Sequence, residues 1–333
     1  MTWDCFFISI SPIATRHPIQ RIFLLCTTIQ EMPMTNQFNY GVDKLTTSRA
    51  IAIASGKLKA KLSAQATERI KSSQQFVEQI VESNKTVYGI NTGFGILANT
   101  KISEEDTATL QQKILQSHSV GVGPAIPVEL AKLMLITKVQ ALAQGYSGVK
   151  LETVERILLH LENDMIPVVP AQGSVGASGD LAPLAHLFLP LIGLGEVYYQ
   201  GAKYKAQDVL NKFSLMPLHL GPKEGLGLIN GTQFILAYAV KAVQRMHNCL
   251  EAADIIGAMS LEALTGTKAP FDERLHKLRP FFGNTLVAQR LRLLLKDSAI
   301  MQSHVDCGRV QDPYSLRCMV EVLGWVIVFT QVW

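Results

Sequence analysis

From Thr232 to about Leu264 the chain has few helix breakers and an almost continuous apolar side, the signature of one long helix. A helix with such a side cannot bury it alone, so the segment calls for partner helices and predicts a bundle with this helix buried inside. The rest of the chain can supply them: 48% of the 333 residues are hydrophobic and 17% charged, enough for one large domain or two modest ones. Lys and Arg number 31 against 27 Asp and Glu, a net charge of +4, and no basic run is dense enough to suggest nucleic acid or anionic lipid as a partner. The five cysteines (Cys5, Cys26, Cys249, Cys307, Cys318) are odd in number, scattered and without a C-x-x-C pair. Neither a disulfide framework nor a zinc site is expected, and a reducing, cytoplasmic setting fits. The longest apolar runs, Ile22 to Cys26, Leu187 to Leu194 and Leu323 to Phe329, fall well short of the roughly 20 residues of a membrane span. Asp4 and the lack of Lys or Arg before Cys5 are wrong for a secretory signal. A soluble chain is the expectation.

Periodicity and breakers divide the remainder. Residues 1–33 show no sustained pattern and read as a poorly ordered extension. Helices are predicted from about Leu62 to Ser83, from a Ser103/Asp106 capping box through Leu110, Ile114 and His118, from Pro127 to about Gln144 with Gly145 as cap, and from Leu151 to Leu161. Glu196–Tyr199 and Ala202–Tyr204 suggest a hairpin around Gly201. The organisation expected is an extension (1–33), an active-site region with small β elements (34–221), the start of a helical bundle (222–323) and a hydrophobic tail (324–333).

Several motifs invite chemistry. Gly93, Gly95 and Ala98 match G-x-G-x-x-A, but Val87-Tyr88 is too short for the strand that a dinucleotide fingerprint needs and Asn99-Thr100 starts no helix. The segment reads as a glycine loop with Tyr88 as its functional candidate. His118 is by default a core histidine bonded to backbone. His160 and Glu162 form H-x-E without the P-C-x-x-C of a zinc deaminase, and H-E-x-x-H and the phosphate-loop motif are absent. Ser178 lies in Gly176-Ala177-Ser178-Gly179-Asp180, whereas a nucleophile elbow needs glycine at the last place. The minimal side chains at 176–179 precede Asp180-Leu181-Ala182-Pro183, a helix start with Asp at the cap. Two readings remain open: a tight loop feeding a helix, or a self-modifying loop. In the second, the Gly179 nitrogen bends onto the Ala177 carbonyl and Ser178 loses its hydroxyl to become an alkene.

Five segments in order decide between them: Tyr88 to Gly95, Ser117-His118 with Gly121 to Gly123, Gly173 to Leu187, Glu224 to Gln233, and Gln311 to Cys318. From about Leu45 to Leu323 the chain resembles the histidine and aromatic amino-acid ammonia-lyases, the histidine members above all. The resemblance implies a mainly α fold of the ammonia-lyase/fumarase type, with small β elements around a cofactor loop, then a bundle of long helices that is incomplete at the C-terminus. It implies a 4-methylidene-imidazol-5-one formed from Ala177, Ser178 and Gly179 with loss of two waters, and no external cofactor or metal. The implied reaction is elimination of ammonia from L-histidine to give urocanate. Tyr88 would remove the β proton or assist; Asn230 and Tyr314 would support cofactor formation and hold developing negative charge; Arg317 would pair with the substrate carboxylate; His118 and Gln311 would contact the ring and the amino or carboxylate end. Ser117-His118 resembles the histidine enzymes rather than those acting on tyrosine or phenylalanine, which are the alternative substrates. A homotetramer is implied. After Cys318 the pattern departs, and Leu323 to Trp333 carries an aggregation-prone run. A truncated form, weakly active and poorly soluble, or an inactive relative serving only in assembly, is the corresponding expectation.

Overall fold

The computed structural model describes residues 37–83, 86–93, 102, 104–174, 179–305 and 307–331. The readings made for residues 1–33, for Ser103, for Gly95 and Ala98, and for Gly176, Ala177 and Ser178 lie outside them. The chain divides into two compact units, Thr35–Arg245 and one to which Met246–Trp333 belongs.

In the first unit, strand β1 (Gln37–Tyr40) pairs in parallel with β2 (Lys59–Leu62) across helix α1 (Thr47–Ala54). Helix α2 (Ala64–Glu82) starts at Ser63, whose hydroxyl oxygen accepts from the Ala66 amide at 3.0 Å and so satisfies one of the open amides of the first turn. Helix α3 (Glu104–His118) leads to β3 (Val122–Ala125), and α4 (Val128–Leu142) follows directly. Gly145, at φ +77°, closes the turn after α4 in the left-handed conformation expected of it. Helix α5 (Leu151–Glu162), strands β4 (Ile166–Pro167) and β5 (Pro170–Gln172), and α6 (Leu181–Phe188) come next. The predicted hairpin is β6 (Glu196–Tyr199) with β7 (Ala202–Lys205), antiparallel in the register Glu196↔Lys205 to Tyr199↔Ala202, and β4 pairs with its free edge. Helices α7 (Ala206–Lys212) and α8 (Glu224–Ile229) lead into α9 (Gln233–Ala263), which passes into the second unit.

The long helix is present, but its burial is not as expected. Ile235, Leu236, Tyr238, Met246, Ile256 and Met259 along α9 are exposed. The helix surrounded on all sides is α4, where Leu133, Met134, Leu135, Ile136, Val139 and Leu142 are buried. An all-round apolar helix belongs at the centre of a core, whereas an apolar side on a long helix fixes only which face seeks cover. The stretch Glu224–Ala263 is also the one place among the described residues long and apolar enough to cross a membrane by length and composition. Searching for uninterrupted apolar runs misses it. Long core helices pass the same criterion, and here the stretch is broken between α8 and α9 and carries the Lys241–Glu129 ion pair at 2.7 Å.

The second unit adds α10 (Glu273–Leu278), α11 (Phe282–Leu294), α12 (Ala299–Ser303), α13 (Tyr314–Arg317) and α14 (Met319–Gln331). Helices α11 and α14 pack with Gly283 against Gly324, and a side chain at either position would strike the opposite backbone. Residues 324–331 of the hydrophobic tail are the end of α14, with Ile327 buried and Trp325 exposed.

One buried group in the first unit makes folding sensitive to acid. His160 of α5 is 2% exposed, and the Met165 backbone offsets only part of the cost of charging its ring. Burial first, and then the nearby Arg156 charge, pull its pKa down to about 4. An unfolded histidine takes up its proton near pH 6.5, so between 6.5 and 4 protons favour the unfolded chain. Stability is expected to fall by about 3 kcal/mol across that window, at roughly 1.4 kcal/mol per pH unit. Urea unfolding at several pH values checks this: His160→Phe should flatten that limb, and a flat wild-type curve would contradict it.

Candidate active site

Three helices of the first unit, α3, α6 and α8, pack against one another and carry or flank three of the nine candidate residues, His118, Gly179 and Asn230. The α3/α8 contact is close because Gly225 has no side chain: a Cβ there would meet the Gln111 carbonyl oxygen. Gln111 Oε1 also accepts from the Leu226 amide at 3.1 Å. Glu224, 1% exposed, anchors the start of α8, its carboxylate accepting from the Thr153 hydroxyl (2.6 Å), the Gly221 amide (2.7 Å) and the Lys150 amide (2.9 Å).

Tyr88 stands in a tight turn held by the Ile90 amide on the Val87 carbonyl (3.1 Å) and the Val87 amide on Asn91 Oδ1 (2.8 Å). Gly89 adopts φ +75°, and Leu226 of α8 occupies the space its side chain would need. The turn is seated on the helix that ends at Asn230, with Tyr88 exposed.

His118 closes α3. Its Nδ1 lies 2.9 Å from the Ile114 carbonyl oxygen and 3.0 Å from the Ser117 hydroxyl, and the carbonyl, which can only accept, calls for a proton on Nδ1. The default reading of a backbone-bonded histidine holds for one nitrogen, and the ring is only half-buried. Just beyond, the Gly121 amide donates to His186 Nε2 of α6 at 3.0 Å, and Gly121 abuts Gly173. The second and third sequence motifs therefore touch.

The strap from Gly173 to Asp180 is tied at both ends. Ser174 donates its hydroxyl to Asp180 Oδ1 at 2.7 Å, and the Asp180 amide donates to the Gly231 carbonyl at 2.8 Å. Asp180 is fully buried, yet its side chain does not cap the helix it precedes. Its Oδ2 accepts from the Phe234 (2.9 Å) and Ile235 (3.1 Å) amides and so caps α9 instead. This corrects the expectation of a local cap: the carboxylate is satisfied by the longer helix, whose free amides it meets in space.

Gly179 lies at φ +132° directly against Gly231, and any side chain would strike the Gly231 carbonyl. A residue reduced to bare backbone, with a nitrogen unencumbered by a Cβ, fits the cyclisation chemistry inferred for this position. Its two partners, Ala177 and Ser178, lie outside the described residues. Asn230 is the cap residue ending α8, in extended conformation and exposed, and its carbonyl accepts from Lys138 Nζ of α4 at 2.8 Å.

The other three candidates, Gln311, Tyr314 and Arg317, belong to the second unit. Buried Asp312 fixes their segment, accepting from the Thr267 amide at 2.6 Å and from Arg309 at 3.3 Å. Pro313 precedes the one-turn helix α13, which carries Tyr314 exposed at one end and Arg317 half-buried at the other. Among the described residues no carboxylate pairs with Arg317.

Sequence reasoning overlooked Lys138, His186, Glu224 and Gln111. His186 and Glu224 lie inside two of the motifs quoted above, and Lys138 is a single charge inside Leu133 to Leu142.

These features define a helical protein in which a glycine strap is anchored at a junction between helices, beside a tyrosine turn and a histidine. A sequence profile of the aromatic amino acid lyases matches residues 45–330, and the chain belongs to this family. It is 48% identical over 264 residues to the histidine ammonia-lyase of Sorangium cellulosum (78% of this chain, 51% of that one) and 43% identical over 282 residues to that of Myxococcus xanthus (85% and 56%). The crystal structure of histidine ammonia-lyase from Trypanosoma cruzi superposes with a TM-score of 0.76 at 36% identity, over 87% of this chain and 54% of that one. The chain thus spans about half the length of the relatives it matches.

Proposed function

We propose that this chain carries the machinery for non-oxidative elimination of ammonia from L-histidine, giving urocanate, with a 4-methylidene-imidazol-5-one made from Ala177, Ser178 and Gly179. The observation that carries the reading is the seating of Gly179 against Gly231, one residue from Asn230, in a strap tied down by Asp180. The similarity to histidine ammonia-lyases supports the choice of substrate. Once formed, the group supplies an electrophilic alkene, an electron acceptor that no unmodified side chain provides.

The chain's own residues do the rest. Tyr88, on a turn held rigid by its own hydrogen bonds, takes the substrate's β proton or assists in its removal. His118, its Nδ1 proton committed to Ile114, offers Nε2 as an acceptor to the substrate. Asn230 and Tyr314 stabilise negative charge by hydrogen bonding. The Arg317 guanidinium forms a fork for the α-carboxylate, and Gln311 contacts the amino or carboxylate end.

Two measurements test the proposal. Mass spectrometry of the peptide containing residues 177–179 should show the loss of two waters; its full mass would refute the cofactor. Turnover of L-histidine, L-tyrosine and L-phenylalanine by the purified protein should be fastest for histidine. Faster turnover of tyrosine would replace the substrate and keep the chemistry.

A further inference from the structure

We infer that Lys138 is a positioning residue for this reaction, its Nζ clamping the Asn230 carbonyl, one peptide before the Gly231 carbonyl on which the glycine strap is seated. The inference rests on the function proposed above for its catalytic consequence, although the clamp itself is a matter of structure.

Lys138 lies on α4, between Leu133, Met134, Leu135 and Ile136 on one side in sequence and Val139 and Leu142 on the other, and is only 2% exposed. An ammonium in such surroundings loses its hydration, a cost of several kcal/mol unless the protein compensates. Compensation here is sparse. The Asn230 carbonyl accepts one hydrogen bond at 2.8 Å, the Phe188 ring centroid lies 6.0 Å away, and no carboxylate among the described residues pairs with it. Burial pulls its pKa down to about 7. A methionine would fill the same space without that cost, so the contact with Asn230 is what the charge contributes.

The carbonyl that the lysine grips stands at the junction of two elements. Asn230 ends α8, and the next residue, Gly231, receives the Asp180 amide at 2.8 Å and accommodates the side-chain-free Gly179. Lys138 thus holds the peptide unit that immediately precedes the one on which the strap rests. With its carbonyl fixed, Asn230 keeps its exposed side chain in one place, as a group that donates or accepts a hydrogen bond in a reaction must be kept. The bond joins residues 92 apart in sequence.

The test uses the full chain with Lys138→Met and Lys138→Arg. Expected for Lys138→Met is unchanged helical circular dichroism, faster hydrogen exchange at the Asp180 amide, incomplete loss of two waters from residues 177–179, and kcat on histidine lower by about tenfold or more with KM within about twofold. Lys138→Arg, which restores a cationic donor, should recover exchange protection and part of kcat. A folded Lys138→Met protein with wild-type exchange and wild-type kcat overturns the inference, as does an effect confined to KM. If the wild-type protein itself neither loses water nor releases ammonia, the proposed function fails, and exchange still decides the clamp: unchanged protection in Lys138→Met overturns it and lost protection upholds it. Should Lys138→Met not fold, Lys138→Gln, a neutral donor, takes its place under the same criteria.

Discussion

Ser178→Ala is expected to lower elimination of ammonia from L-histidine by about three orders of magnitude or more, the scale on which enzymes lose activity when a covalently acting residue is removed. Alanine has no hydroxyl to lose, so the alkene cannot form from it. None of the substrate contacts proposed above involves the Ser178 hydroxyl, so KM should change far less than kcat. A thousandfold loss corresponds to about 4 kcal/mol of barrier. Urocanate absorbance measures the rate, and circular dichroism checks that the variant is folded. A variant retaining a tenth of the wild-type rate would remove the cyclised segment from the mechanism.

The largest effect on stability is expected at Asp180. Its fully buried carboxylate serves three donors, the Ser174 hydroxyl and the Phe234 and Ile235 amides. Asp180→Ala leaves all three unsatisfied and removes the cap from α9. Each unmade buried hydrogen bond costs about 1–3 kcal/mol, the two α9 amides being the lost cap, so a loss of at least about 3 kcal/mol is expected, toward the upper end for single substitutions. Asp180→Asn keeps one acceptor oxygen and should cost roughly half as much. Urea unfolding followed by circular dichroism measures both. A loss below about 1 kcal/mol for Asp180→Ala would mean that solvent or a neighbour replaces the carboxylate. Because the same residue anchors the end of the strap, the Asn variant should lower kcat even where it remains folded.

The sequence by itself determined what depends on near neighbours. The spacing of apolar residues placed α2, α4, α5 and the long α9, because side chains three and four residues apart share one face of a helix whatever surrounds it. The hairpin between Glu196 and Lys205 was legible because its Gln200-Gly201 turn requires left-handed backbone at both residues, at φ +49° and +79°. Order and wording of the motifs pointed to the family and to every candidate site residue. Tertiary structure alone decided which partner each group meets. Asp180 looked like the cap of the helix that follows it, yet its carboxylate serves amides 54 and 55 residues away, because the start of α9 is brought within reach by the Gly179–Gly231 contact. Nothing local in the sequence singled out Lys138, whose Nζ meets the Asn230 carbonyl, 92 residues away, only through packing. Periodicity marked the apolar side of α9 but not whether anything covers it, and in this chain α4 occupies the centre of the core while much of α9 stays exposed. A local pattern states which surface a residue joins; the neighbour it finds there depends on how the whole chain fills space.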